Sequence, residues 1–205
     1  MLKIYGRASS ANVQKVTWLC TEIGLPYERQ DVGGDYGGND KEWYLKMNPN
    51  GRVPTIDDDG FILWESNAII RYLAAKHAPE WAGGSDLKRA ALIDQWMDWL
   101  PTMANGMVPV FHGLIRTPVE KRNAQAIEAG RVAWAKAMTI LDWGLQGHDY
   151  VVGNSVSVAD VALGPITYRW FELPIERPTL KALEGWYRRL KERAPYRKHV
   201  MAGLV

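Results

Sequence analysis

Residues 53–66 read Val53-Pro54-Thr55-Ile56-Asp57-Asp58-Asp59-Gly60-Phe61-Ile62-Leu63-Trp64-Glu65-Ser66. Two short apolar runs flank Asp59-Gly60, a pair that supplies the positive φ values of a tight primed turn, so the stretch predicts a β-hairpin. Glu65-Ser66 then opens a helix with Ile69, Tyr72 and Leu73 on one face. Upstream, Leu2–Tyr5 reads as a strand followed by the polar turn Gly6-Arg7-Ala8-Ser9-Ser10. From Ala11, the spacing of Val13, Val16, Cys20 and Ile23 predicts a helix that stops at Gly24. Pro26-Tyr27-Glu28 starts another extended segment, and Gly33-Gly34 with Gly37-Gly38 makes a loop. A short helical stretch near Lys41–Met47 ends at Asn48-Pro49-Asn50-Gly51. The order over residues 1–78 is therefore βαβ-α-ββ-α, an α/β unit with a small mixed sheet and helices on its faces.

Residues 78–85 read as a linker, and beyond them only helical periodicity remains. Stretches over Asp86–Leu100, Val119–Leu145 and Ser157–Trp170, with a fourth marked by Leu180, Leu183, Tyr187 and Leu190, predict an all-α bundle over residues 86–205. Ser157 and Asp160 form a capping box with Asp in place of Glu, and Val156 faces Val161 as a hydrophobic staple. Pro165 is expected to kink that helix.

Composition narrows the function classes. The chain has 25 Lys plus Arg against 23 Asp plus Glu, a net charge of +2, which gives no footprint for nucleic acid or an anionic membrane. No apolar run approaches the ~18 residues of a membrane span. Cys20, as the only cysteine, excludes an internal disulfide, a CxxC redox pair and a cysteine zinc site. His77, His112, His148 and His199 form no HxxxH pair. No GxGxxG follows the first strand, which disfavours hydride transfer. These features point to a soluble, cytoplasmic protein without a metal. Its ten tryptophans imply large aromatic burial.

Four places could carry chemistry. Ser9-Ser10-Ala11-Asn12 sits where unpaired N–H groups and the positive end of a helix dipole would stabilise an anion such as a thiolate, or Ser10 only caps the helix. A cis bond at Val53-Pro54 would leave the Val53 backbone free to pair with an extended, peptide-like ligand, whereas a trans one is ordinary strand-start chemistry. Glu65 and Ser66 at a helix start suit an α-amino acid, with the carboxylate taking its ammonium and Ser66 its carboxylate, although first-turn residues often do nothing more. Arg52 could grip a carboxylate or simply be solvated. Cys20 lies on the apolar helix face and reads as a core thiol.

Taken together, Ser9 to Asn12, Asn48 to Pro54, Glu65-Ser66-Asn67-Ala68-Ile69-Ile70 and the Ser157/Asp160 box resemble the cytosolic glutathione transferase family over nearly the whole chain. The resemblance implies a thioredoxin-like domain over residues 1–78, a helical domain over 86–205 that supplies the electrophile site, and a homodimer. It implies glutathione as co-substrate, activated as a thiolate and conjugated to small hydrophobic electrophiles. By position, Ser10 matches the catalytic serine of the theta, phi and zeta classes. Val53 matches the backbone clamp, Pro54 its cis-proline, and Glu65 with Ser66 the pair holding the γ-glutamyl end, with Ser9 and Arg52 nearby. Asn12 stands where the zeta class has cysteine, and Ser-Ala-Asn is similar to the Thr-Pro-Asn of the bacterial nu class, which reduces disulfides through glutathione; Ser10 and Asn12 are therefore both candidate thiolate donors. Disulfide reduction and a non-catalytic binding module are the alternatives. Trp96, Met103 and His112 are the candidates for the electrophile site.

Overall fold

The computed structural model describes residues 1–204. The sheet has the order β2-β1-β3-β4, from β1 (Leu2–Tyr5), β2 (Tyr27–Gln30), β3 (Thr55–Asp58) and β4 (Phe61–Trp64). α1 (Ala11–Glu22) returns the chain so that β2 runs parallel to β1, with Leu2 opposite Tyr27. β3 and β4 are antiparallel to their neighbours. Asp59 and Gly60 both take positive φ, 52° and 93°, as the hairpin reading requires. β3 begins only at Thr55, because Pro54 has no N–H to give a ladder. The Val53-Pro54 bond is cis. α2 (Glu42–Leu45) and α3 (Ser66–His77) complete this part.

The linker holds a turn of 3-10 helix, Pro79–Ala82. Beyond it come α4 (Leu87–Phe111), α5 (Ala124–Gly144), α6 (Val158–Glu172), α7 (Lys181–Glu192) and α8 (Ala194–His199). Three details depart from the sequence reading. α4 runs through Pro101 and Pro109 rather than ending at Leu100. Packing overrides the prolines: α4 and α5 approach so closely that a Cβ on Gly106 would lie 2.5 Å from the Trp134 backbone nitrogen. The next helix begins at Ala124, not Val119, because Asn123 caps it by accepting from the Ala126 N–H at 3.0 Å. α8, only six residues long, is too short to show a period. Pro165 lies inside α6, which continues to Glu172.

Trp18, Trp134, Trp170 and Trp186 are all fully buried. Asp160 does more than start α6. Its buried carboxylate accepts from the Ser157 N–H (2.8 Å) and hydroxyl (3.0 Å), the Val151 N–H (3.0 Å) and Trp186 Nε1 (2.8 Å), tying α6 and α7 to the preceding loop. No helix among the described residues is long and apolar enough to cross a membrane.

Candidate active site

The turn after β1 delivers Ser10 to the N-cap of α1 in extended backbone, φ −76° and ψ 121°. Its carbonyl accepts from the Gln14 N–H at 2.9 Å, but its hydroxyl makes no capping hydrogen bond. That leaves the hydroxyl beside the first unpaired N–H groups of the helix, where an anion is favoured. Next to it, Ser9 lines a cavity of about 680 Å³ together with Arg7, Asp35, Tyr36 and Arg116.

Val53 is half-buried, and no backbone hydrogen bond involves its N–H or carbonyl. Its flanks are fixed. The Arg52 carbonyl accepts from the Tyr44 hydroxyl at 2.6 Å and from Asn48 Nδ2 at 2.8 Å, and Asn48 also donates to Thr55 Oγ1 at 3.1 Å. The Arg52 side chain is exposed.

Glu65 caps α3 at φ 72° and ψ 110°, a left-handed conformation that few residues other than glycine adopt. It is exposed, while Ser66 is buried. The Ser66 hydroxyl donates to Asn12 Oδ1 at 3.2 Å and accepts from Lys15 Nζ at 3.3 Å. Lys15 also donates to Asn67 Oδ1 at 3.2 Å, and Asn67 donates to the Met97 carbonyl at 3.0 Å. These bonds tie α1, α3 and α4 together beneath the Glu65-Ser66 step. Lys15 is 1% exposed. Burial brings its ammonium down to about 7, a shift that the nearby Glu65 charge opposes.

Asn12 therefore belongs with Ser66, and its amide oxygen is engaged there rather than free beside Ser10. Lys15 and Asn67 are the polar members of the site that sequence reading missed. Gln14, Lys15 and Thr17 look like the solvent face of an amphipathic helix, yet α1 is buried all round from Val13 to Cys20. Nothing in the linear pattern singles Lys15 out, because Gln14 and Thr17 beside it are polar as well and only packing between layers buries all three.

The electrophile candidates do not converge. His112 opens a π-helical turn, His112–Arg116, at the end of α4, with Nε2 3.4 Å from Arg116 Nη1. Burial and the charges of Arg116 and Arg169 hold its imidazole below the usual range. Trp96 and Met103 line no part of the cavity beside Ser9. Both sit on the buried stripe of α4: Trp96 packs edge-on to Trp99 and lines a separate cavity with Trp143, and Met103 is fully buried. Cys20 is wholly buried, and burial pushes its thiol up to about 12, so it is no nucleophile near neutral pH. Among the described residues, no three His, Cys, Asp or Glu side chains are grouped to hold a metal ion.

Residues 4–81 match the model of the glutathione S-transferase N-terminal domain and residues 101–194 that of the C-terminal domain. The chain is 38% identical over 204 residues to glutathione S-transferase GstB of Escherichia coli, covering 98% of each. Its fold is similar to the glutathione-bound theta class glutathione S-transferase of Xanthomonas axonopodis pv. citri, with a TM-score of 0.96, 41% identity, and coverage of 100% of this chain and 99% of that one. Against the apo form of that protein the TM-score is 0.87, with 37% identity and coverage of 100% and 98%.

Proposed function

The chain belongs to the glutathione S-transferase family, and from that premise we propose that Ser10 is the group that holds glutathione as its thiolate for attack on small electrophiles. A free thiol with a pKa near ~8.5 is only a few per cent ionised at pH 7. Lowering that pKa by ~2 units needs ~2.7 kcal/mol. One charge-assisted hydrogen bond from Ser10 contributes ~1.5–3 kcal/mol, and the α1 dipole adds ~0.3–1. The observation that carries this reading is the uncommitted Ser10 hydroxyl at the start of α1, set against an Asn12 oxygen already engaged by Ser66.

The rest of the tripeptide follows from the same frame. The free Val53 backbone pairs with the cysteinyl residue in β-fashion. Glu65 takes the γ-glutamyl ammonium, Ser66 and the N-terminus of α3 take its carboxylate, and Arg52 with Ser9 lies toward the remaining end. In this reading residues 1–78 form the glutathione domain and residues 86–205 present the electrophile. The working unit is a cytoplasmic homodimer that needs no metal, and the exposed Phe61 and Trp64 on β4 are in keeping with an interface.

The thiolate absorbance of bound glutathione, titrated with pH, tests the assignment. Ser10→Ala is expected to move the titration toward the free value and to lower near-neutral turnover about ten- to a hundredfold, each unit corresponding to ~1.36 kcal/mol. An unshifted titration with activity kept would sink the serine assignment. A model disulfide assayed beside an aryl halide decides between conjugation and disulfide reduction, and Asn12→Ala as the more damaging change would favour reduction.

A further inference from the structure

The cavity beside Ser9 is unusual in its charge. Arg7 and Arg116 line it, and Asp35 is the only acidic residue among its lining. Behind it Arg169, on α6, is 9% exposed. Its guanidinium carbon lies 3.9 Å from the centre of the Phe111 ring, and that of Arg116 lies 5.3 Å from the same centre. The polar neighbour of Arg169 is a sulfur, Met107 Sδ at 3.8 Å, and that of Arg116 is the His112 ring. Among the described residues, no carboxylate comes within 4.0 Å of Arg7, Arg116 or Arg169. Burial and the charges of Arg116 and Arg7 together bring Arg169 down to about 10, so it still carries its proton at neutral pH. Burial and the charge of Arg116 lower Arg7, with Asp35 opposing. Three like charges held together with so little compensation would be stabilised by an anion, because a buried guanidinium without an acid costs folding energy that an anion would return.

We infer that the electrophile site prefers small electrophiles carrying an anionic group, a carboxylate or its equivalent, whose charge is taken up by Arg116 and Arg7 with Arg169 behind them. The inference rests on the glutathione reading above and adds the class of second substrate. Guanidinium suits the role, since its planar fork binds a carboxylate at two points and keeps its charge at any pH the enzyme meets. For an aryl chloride bearing a carboxylate, the glutathione sulfur bonds to the ring carbon and chloride leaves with the electron pair of the broken C–Cl bond. The thiol proton has already gone to solvent, and no oxidant or reductant takes part. The aromatic ring of such a substrate meets Tyr36, which is 64% exposed at the same cavity.

A matched pair tests this: 4-chloro-3-nitrobenzoate and its uncharged amide, each rate divided by its uncatalysed rate, and calorimetric affinities for the two corresponding glutathione conjugates and for S-methylglutathione. The carboxylate conjugate is expected to bind about tenfold more tightly than the amide at low salt, ~1.4 kcal/mol, with the preference shrinking as salt rises. In Arg116→Gln, a change at an exposed position that leaves the core alone, the carboxylate-to-amide ratio of kcat/KM is expected to fall about tenfold. Arg169→Met is expected to lower the same ratio; should that variant not fold, Arg7→Gln replaces it. Equal affinities for the two conjugates, or a ratio unmoved in Arg116→Gln, with S-methylglutathione still bound, would overturn the anion preference alone. Failure to bind any of the three would overturn the glutathione reading instead.

Discussion

Around Ser66 a single cation, Lys15, is enclosed and bonded to neutral oxygens of Ser66 and Asn67. Around Ser9 the guanidinium groups of Arg7, Arg116 and Arg169 share one neighbourhood that has Asp35 as its acid. Both ends concentrate positive charge that the protein leaves without a close carboxylate. The difference lies in what each cation can do about it. A lysine can release its proton when burial makes the charge too costly, and Lys15 does so near pH 7. An arginine keeps its charge, so the Ser9 end stays positive across the working range. One end of the site is therefore tunable by pH and the other is fixed.

The largest expected effect breaks this contrast at Lys15. Its folded pKa, about 7, lies below the 10.5 of an exposed lysine. The unfolded chain then binds more protons between those values, so stability rises as pH climbs through that window and is lower below it. Between pH 7 and pH 9 the gain is about 2–3 kcal/mol. Urea unfolding at the two pH values measures it, and Lys15→Met should flatten the dependence; a wild type with equal stability at both would refute the buried-lysine account.

Glu65→Ala comes next. Removing the carboxylate is expected to weaken glutathione by roughly 1.5–3 kcal/mol, the range for bonds to charged groups, with the fold kept. Calorimetry returning an unchanged affinity would take Glu65 out of the site. The smallest effect sharpens the comparison. If a ligand carboxylate settles at Ser66, it raises the pKa of Lys15, and binding at pH 8 takes up part of a proton, at most about one. S-methylglutathione isolates that uptake because it has no thiol to ionise. Binding enthalpies in buffers of different ionisation heat should then diverge, and Lys15→Met should remove the divergence.

Local chemistry made much of the molecule legible. Asp59-Gly60 announced the hairpin, Ser157 and Asp160 the start of α6, and the Glu65-Ser66 step the start of α3. These signals act over a few residues and survive whatever surrounds them. Packing decided the rest. α4 crosses two prolines because Gly106 and Gly130 let α5 come close, with a Cβ on Gly130 2.6 Å from the Pro109 ring. Trp96 and Met103 both fall on the buried stripe of α4, and which of them faces a cavity is set by how the helices pack. Arg7, Arg116 and Arg169 lie more than fifty residues apart from one another at each step, so nothing in the linear pattern brings them together.

Glu65 holds its left-handed backbone without being glycine, and such a conformation costs on the order of 1–2 kcal/mol for an ordinary side chain. Selection for heat resistance and selection for substrate use should therefore pull this codon apart. A library randomised at position 65 and challenged only by temperature is expected to fill with glycine, which accepts that backbone at the least cost. The same library made to depend on glutathione should return to glutamate, keeping the less comfortable chain for the sake of where its carboxylate points.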